Sequence, residues 1–396
     1  MLLKNKLDLN LKTALLSKHY KTYRVLIHCK TLIEVIEKKI KSYKGEILRS
    51  IPSINCISAN LTDHAINRLV EYPEIDYIVF DSYGFLCGSS VSAANGVQIQ
   101  ERYKLTGKGI GVGLIDSGTY PHPDLTSNAT KISNFIDLIN GLQYPYDDNG
   151  HGTFMAGLIC GNGNASKGMY RGVAENSHIF SIKCFNSIGK GYVSDILYSI
   201  EILINNAKEY NLKTLCLPFE LTDNNYFILS MFEKLFKRAV ENNLVIVVPS
   251  GTNGNDQSSM RGIATLENCL TVGGIDTRGS QKIYEHSSSG PCGKLDKPDL
   301  VAACVDICSL NSNTEYISER NGVKLYTQAL EKPYTNFTGT SCSAAYVCGI
   351  CTLLFENNPD LTYKDMISLM KVSCEMLPLL KRLQGMGTIN LNKLLP

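Results

Sequence analysis

Apolar positions along residues 22–81 switch period several times. "YRVLIHC" is β-rich, whereas "TLIEVIEKKIKSY" places Leu32, Val35, Ile36 and Ile40 on one helical face. "GEILRSIPSINCISANL" reads as two short strands. "TDHAINRLVEYP" opens with a capping residue, Thr62 or Asp63, and carries Ile66, Leu69 and Val70 on one face; "IDYIVF" is a strand again. The order β-α-β-β-α-β predicts a small ferredoxin-like α+β domain over 22–81, after an N-terminal extension, 1–21. A less regular linker, 82–98, follows. From 99 to 396 strand-like and helical runs alternate: "GIGVGLID", "YVSDILYSIEILINNAKEY", "KTLCLPF", "YFILSMFEKLFKRAVENN", "LVIVVPS". That order predicts an α/β fold with a doubly wound, mostly parallel sheet. Chemistry in such sheets collects at the carboxyl ends of strands, and Asp116 ends "GVGLID".

Composition narrows the class. The 396 residues suffice for a large catalytic domain and a smaller one, and 44% hydrophobic content is ordinary for a globular chain. A net charge of +2 gives no reason to expect nucleic acid or an anionic membrane as partner. No apolar run reaches the length of about 18 residues that a transmembrane helix needs. The first residues, "MLLKNKLDLNLKTALLSKHY", are broken by charge and lack the apolar core of an export signal. The 14 cysteines therefore read as reduced thiols of a cytoplasmic protein. "CGIC" has redox or metal spacing but lies within an apolar run, where packing explains it.

Three polar residues carry the chemistry. Asp116 stands in "LIDSGTYPHPDL", His151 in "DDNGHGTFMAGL" and Ser341 in "TNFTGTSCSAAYVCGICTLL". Each alone is explained as a cap at the end of an element. Together they supply a carboxylate, an imidazole and a hydroxyl, each at a glycine-lined junction. A serine hydroxyl needs an imidazole to take its proton, and the imidazole needs a carboxylate to fix its tautomer. The chain order Asp, His, Ser is one known solution.

These segments, with "YRGVAENSHIFSIKCFNSIGKGYVSDI", "SSSGPCGKLDKPDLVAA" and "GMGTINLNKLL", resemble the subtilisin-like serine peptidases from about residue 95 to the end. "YPHPDL", "YDDNGHGT" and "NNPDLT" look most like the cytoplasmic subtilases of bacilli. The resemblance implies an intracellular serine endopeptidase with Asp116, His151 and Ser341 as catalytic residues. It makes 22–81 an inhibitory propeptide and 81–90 a segment that threads the site and is cut by the chain's own Ser341. A peptide or protein substrate and the chain's own propeptide are the expected partners.

The family also implies a groove in which Gly189 and Gly191 pair with the substrate backbone, opposite a wall at 216–220. Here the sequence departs from the family. Pro218, Phe219 and Glu220 stand where Ser-Leu-Gly is usual, and Glu220 at the mouth of the first pocket favours a basic side chain. Pro249, Ser250, Gly251 and Thr252 replace Ala-Ala-Gly-Asn. Thr252 thus aligns with the side-chain donor to the oxyanion, with Asn253 one position late. Cys342-Ser343 and Ala345 replace residues after the nucleophile. Such changes point to narrow specificity; the alternative is a weakened pseudo-peptidase that binds peptides or regulates. An esterase lacks support, since no "GxSxG" surrounds Ser341. No cofactor and no metal-ligand residue are expected, with calcium the alternative left open. Relatives bind calcium in loops such as 161–168, but the side chains here offer only neutral Asn and Ser oxygens, and calcium favours carboxylates.

Overall fold

The computed structural model describes residues 6–18, 20–86, 104–127, 129–221, 223–278 and 281–395. The N-terminal unit runs α1 (Leu9–Leu16), β1 (Tyr23–Cys29), α2 (Ile33–Ser42), β2 (Glu46–Ile51), β3 (Cys56–Leu61), α3 (Asp63–Leu69) and β4 (Ile75–Phe80). Its four strands lie in the order β2-β3-β1-β4, all antiparallel, which is the ferredoxin-like arrangement. Thr62, not Asp63, caps α3: its side chain accepts the Ala65 N–H at 3.2 Å. The N-terminal extension joins this unit, with Leu11 and Leu15 of α1 in its core.

The continuous apolar run of β1 is explained by burial of both its faces. Val25, Ile27 and Cys29 pack under the unit's own helices. Leu26, with Tyr77 and Val79 of β4, packs into a second core shared with the larger unit.

The larger unit opens with β5 (Tyr83–Leu86), β6 (Gly111–Asp116), α4 (Pro123–Thr126), β7 (Ile132–Asp137), α5 (His151–Cys160), β8 (His178–Lys183), β9 (Lys190–Tyr192) and α6 (Val193–Asn206). It continues with β10 (Leu212–Cys216), β11 (Phe219–Leu221), α7 (Tyr226–Glu241), β12 (Val245–Pro249), β13 (Leu270–Asp276), β14 (Lys282–Ile283), β15 (Leu300–Ala303), β16 (Ile307–Leu310), β17 (Glu319–Arg320), β18 (Val323–Lys324), β19 (Tyr334–Phe337), α8 (Thr340–Asn357), α9 (Tyr363–Ser373), β20 (Cys374–Glu375) and β21 (Thr388–Ile389). The main sheet follows the order β20-β21-β15-β13-β12-β10-β6-β8-β7. Its strands are parallel apart from the antiparallel β20 and β14.

Successive residues of a strand point to opposite faces, so each central strand feeds two cores. Val245 and Val247 of β12 join α5 and α8 on one face; Ile246 and Val248 join α6 and α7 on the other. That second face is where the N-terminal sheet docks. The chain then leaves β4 through Asp81 and returns as β5, which lies antiparallel between β9 and β11.

Candidate active site

Three element ends converge at the carboxyl edge of the sheet. Asp116 is the last residue of β6, His151 the first of α5, and Ser341 the second of α8. All three are buried. His151 Nδ1 lies 2.8 Å and 2.9 Å from the two Asp116 carboxylate oxygens, and His151 Nε2 lies 3.1 Å from Ser341 Oγ. An imidazole that donates from Nδ1 to Asp116 presents its Nε2 lone pair to the Ser341 hydroxyl. The close start of α5 depends on Gly152, where a Cβ would strike the Gly118 carbonyl oxygen and press on Asp116. Phe337 covers the imidazole edge-on, with ring centroids 5.3 Å apart.

Two residues that the sequence reading passed over hold this alignment. Asp147 is fully buried. It accepts Ser117 Oγ at 2.8 Å and Gly150 N–H at 2.8 Å on one oxygen, and Thr153 N–H at 2.8 Å and Thr153 Oγ1 at 2.6 Å on the other. It thereby caps α5 and ties the loop before His151 to the residue after Asp116. Lys183, also fully buried, donates to the Ser117 carbonyl at 2.6 Å, the Phe185 carbonyl at 3.0 Å and Asp148 at 2.5 Å. The signal for Asp147 was an Asp four residues before the helix-opening His151. Lys183 gave none, because a lysine ending an apolar strand reads as solvated.

Gly189, Gly191 and 216–220, expected to line a groove, lie on or beside β9 and β11, the two strands that flank β5. Gly189 stands in the turn before β9, and Gly191 is central in it. Pro218 precedes β11, so its missing N–H falls outside the ladder, and Phe219 and Glu220 pair with β5. Residue 84 is opposite Gly191 and residue 85 is opposite both Lys190 and Glu220. The groove of the larger unit is thus filled by the chain's own segment. The part of the expected processing window at 87–90 lies outside the described residues.

Glu220 is half-buried, and its side chain turns onto the loop after β12. Its carboxylate accepts the Thr252 N–H at 2.9 Å and Thr252 Oγ1 at 2.9 Å, with Asn253 Nδ2 at 3.5 Å. Ser250 and Gly251 lead into this turn from β12: Ser250 N–H donates to the Val272 carbonyl, and the Gly251 carbonyl accepts from Ser288 N–H at 3.1 Å and Thr340 Oγ1 at 3.3 Å.

Beside 161–168 the Asp124 carboxylate accepts the Ala165 N–H at 2.8 Å and the Tyr334 hydroxyl at 2.5 Å. Among the described residues no group of three or more His, Cys, Asp or Glu side chains is arranged to hold a metal. The cysteines among them, 13 in number, are free thiols; those in "CGIC" are fully buried in α8. Burial pushes the Cys160 thiol up to about 12 and Cys351 well above its ordinary value. Among the described residues no helix is long and apolar enough to cross a membrane.

Hydroxyl, imidazole and carboxylate aligned along the carboxyl edge of a doubly wound sheet define the class of α/β serine hydrolases. Within that class the chain belongs to the subtilase family, whose model (Peptidase_S8) matches residues 107–387. It is 30% identical over 353 residues to the serine protease AprX of Bacillus subtilis, covering 85% of this chain and 77% of that protein. An alkaline protease of Alkalihalobacillus alcalophilus is 26% identical over 317 residues, covering 79% of this chain and 72% of its own. Two solved structures share the fold at low identity. Fervidolysin from Fervidobacterium pennivorans superposes with a TM-score of 0.72 at 18% identity, over 94% of this chain and 61% of that one. The epidermin leader peptide processing protease of Staphylococcus aureus gives 0.70 at 17%, over 94% and 99%.

Proposed function

We propose that the chain is a serine endopeptidase precursor, held inactive by its own residues 22–81 until the segment after them is cut. Ser341 Oγ attacks the scissile carbonyl while His151 Nε2 takes its proton. Asp116 holds the imidazole in the donating tautomer and stabilises the cation that forms. His151 then returns the proton to the leaving amine, giving an acyl-enzyme that water hydrolyses. The N-terminal end of α8 points the Ser341 N–H at the developing oxyanion. Substrate lies as a strand between β9 and β11, with Gly189, Gly191, Phe219 and Glu220 framing its backbone. Pro218, Ser250 and Gly251 shape the first side-chain pocket.

One observation carries the reading: β5 already occupies the strand position a substrate would take, directly after a compact domain docked on α6 and α7. A peptide added between two strands is recognised through its main chain, which suits a peptidase. The altered wall at Pro218 to Glu220 supports narrow specificity. The free thiols support a reducing, cytoplasmic setting. No metal, nucleic acid or membrane is needed.

A second reading, a weakened peptidase that chiefly binds peptide, draws on Thr252, whose hydroxyl is directed at Glu220. A fluorophosphonate probe separates the two. It is expected to label wild type at Ser341, equally in EDTA, and to leave His151→Ala unlabelled. A wild-type protein cut after residues 22–81 that stays unlabelled and hydrolyses no peptide would favour the binding role.

A further inference from the structure

Glu220 belongs to two structures at once. Its backbone is in β11, the strand that pairs with the segment in the groove, where it stands opposite residue 85. Its side chain leaves the groove and seats on the turn after β12. There both carboxylate oxygens are used, Oε2 by the Thr252 N–H and Oε1 by the Thr252 hydroxyl, each at 2.9 Å. Two bonds from one residue to one carboxylate fix direction as well as distance, and bonds to an ionised acceptor are the stronger kind.

The turn is built to admit this carboxylate. Gly251 has φ +98°, the left-handed region that glycine tolerates, and a Cβ there would sit 2.6 Å from Glu220 Oε2. On the other side Ser288 closes the turn: its N–H donates to the Gly251 carbonyl at 3.1 Å and its Oγ accepts the Asn253 N–H at 2.8 Å. Thr340, the residue before Ser341, donates to the same Gly251 carbonyl. The turn is therefore clamped between the peptide-binding strand and the segment that carries the nucleophile.

This changes which side chain can serve the oxyanion. A threonine hydroxyl has a single proton, and that of Thr252 is directed to Glu220. Asn253 Nδ2 is held only by contacts of 3.4 Å to Ser288 Oγ and 3.5 Å to Glu220, at the weak limit of hydrogen bonding, on an exposed residue. Its amide is the group that can turn towards a reacting carbonyl at little cost.

We propose that Glu220 is a positioning residue for transition-state stabilisation. It locks Thr252 and thereby presents Asn253, rather than Thr252, as the side-chain donor to the oxyanion. The alignment of Thr252 with the usual donor is thus overridden by a carboxylate that the family's usual glycine could not supply. The inference rests on the peptidase reading above.

The test expresses the full chain, lets the segment after residues 22–81 be cut, by its own Ser341 or by an added protease, and then compares wild type with five variants: Glu220→Ala, Glu220→Gln, Thr252→Val, Asn253→Ala and the double variant Glu220→Ala/Asn253→Ala. Two rates are measured, the phosphonylation of Ser341 by a fluorophosphonate and kcat on chromogenic peptides. Loss of an oxyanion donor costs roughly 10²–10³ in kcat, as in subtilisin. Asn253→Ala, which removes the donor itself, is expected to lower both rates by about 100- to 1000-fold, and Glu220→Ala by about 10- to 100-fold, each with KM within about threefold, because only a transition-state contact is lost. The double variant should be at most about threefold worse than the weaker single one, since both changes remove one shared function. Thr252→Val, which keeps the N–H bond to Glu220, should cost less than either. Glu220→Gln keeps one accepting oxygen and should fall between wild type and Glu220→Ala; it decides the matter if Glu220→Ala does not fold. The inference is overturned if Glu220→Ala, or in its place Glu220→Gln, retains wild-type rates or alters only KM and side-chain preference. It is equally overturned if Thr252→Val is the damaging change and Asn253→Ala is silent. A wild-type protein cut after residues 22–81 that neither labels nor hydrolyses would instead remove the peptidase reading itself.

Discussion

Asp81 accepts the backbone N–H of Ser194 at 2.8 Å, so the residue that closes the N-terminal sheet caps a helix of the larger unit. Helix α6 has no side-chain cap of its own at Tyr192, and Asp81 satisfies one of its orphan amides. The same carboxylate accepts Arg24 Nε at 2.7 Å, the Ser58 hydroxyl at 3.1 Å and the Ser194 hydroxyl. Arg24 also reaches Ser194 Oγ at 2.8 Å and Asp195 at 3.1 Å, and Arg49 meets Asp195 at 3.0 Å. Burial raises the Asp195 carboxyl above its ordinary value, against the pull of both arginines.

Removing Asp81 therefore strips a cap and leaves Arg24 without its closest carboxylate. Asp81→Ala, made in a Ser341→Ala background to prevent autolysis, should destabilise the docked form by roughly 3 kcal/mol, the scale for breaking one side of a buried pair. Thermal unfolding and limited proteolysis read this out: residues 22–81 should be released faster. An unchanged Tm with unchanged proteolysis would mean the network contributes nothing net.

The placement of β5 predicts where processing falls. The chain's own segment is bound between β9 and β11, where a peptide substrate is proposed to lie, so one autolytic cut is expected within 81–90. Mass spectrometry of wild type beside Ser341→Ala decides it. The same cut in both proteins would assign it to another protease, and a cut in neither would favour an active full-length form or a binding protein.

The docked form should weaken in acid through His28. Its Nδ1 contacts Asp76 at 2.9 Å and its Nε2 contacts Lys234 Nζ, on α7, at 2.7 Å. Only a neutral imidazole donates to the carboxylate and accepts from the ammonium. Burial and the Lys234 charge lower its pKa, outweighing Asp76. The unfolded chain then takes up its proton first as pH falls. The contribution is full above about pH 6.5, the ordinary histidine value, and is lost as pH drops below it. Tm of the Ser341→Ala protein should fall more steeply between about pH 7 and 5 than that of the same protein carrying His28→Gln. Parallel curves would assign the acid sensitivity to other groups.

Much of this protein was legible in its sequence because the deciding physics is local. The run "YRVLIHC" with its neighbours determined a split βαβ unit, and the alternation after Lys108 determined a doubly wound sheet, since hydrophobic period reports directly on which faces are buried. "GVGLID", "DDNGHGT" and "GTSCSAA" marked element ends where small residues let backbone and side chain approach closely. Relations between distant segments depended on the fold. Spacing could not announce that Asp81 would cap α6, since 113 positions separate it from Ser194. Nor could it show that Asp147 and Lys183 would bind the residue after Asp116. Glu220 shows the limit most clearly. A carboxylate in place of glycine read as a charge at a pocket mouth, because sequence reports its sign but not its direction. Only the packing of β11 against the turn at 250–254 placed both of its oxygens on Thr252, where unsatisfied donors beside the groove offered it stronger bonds than open water does.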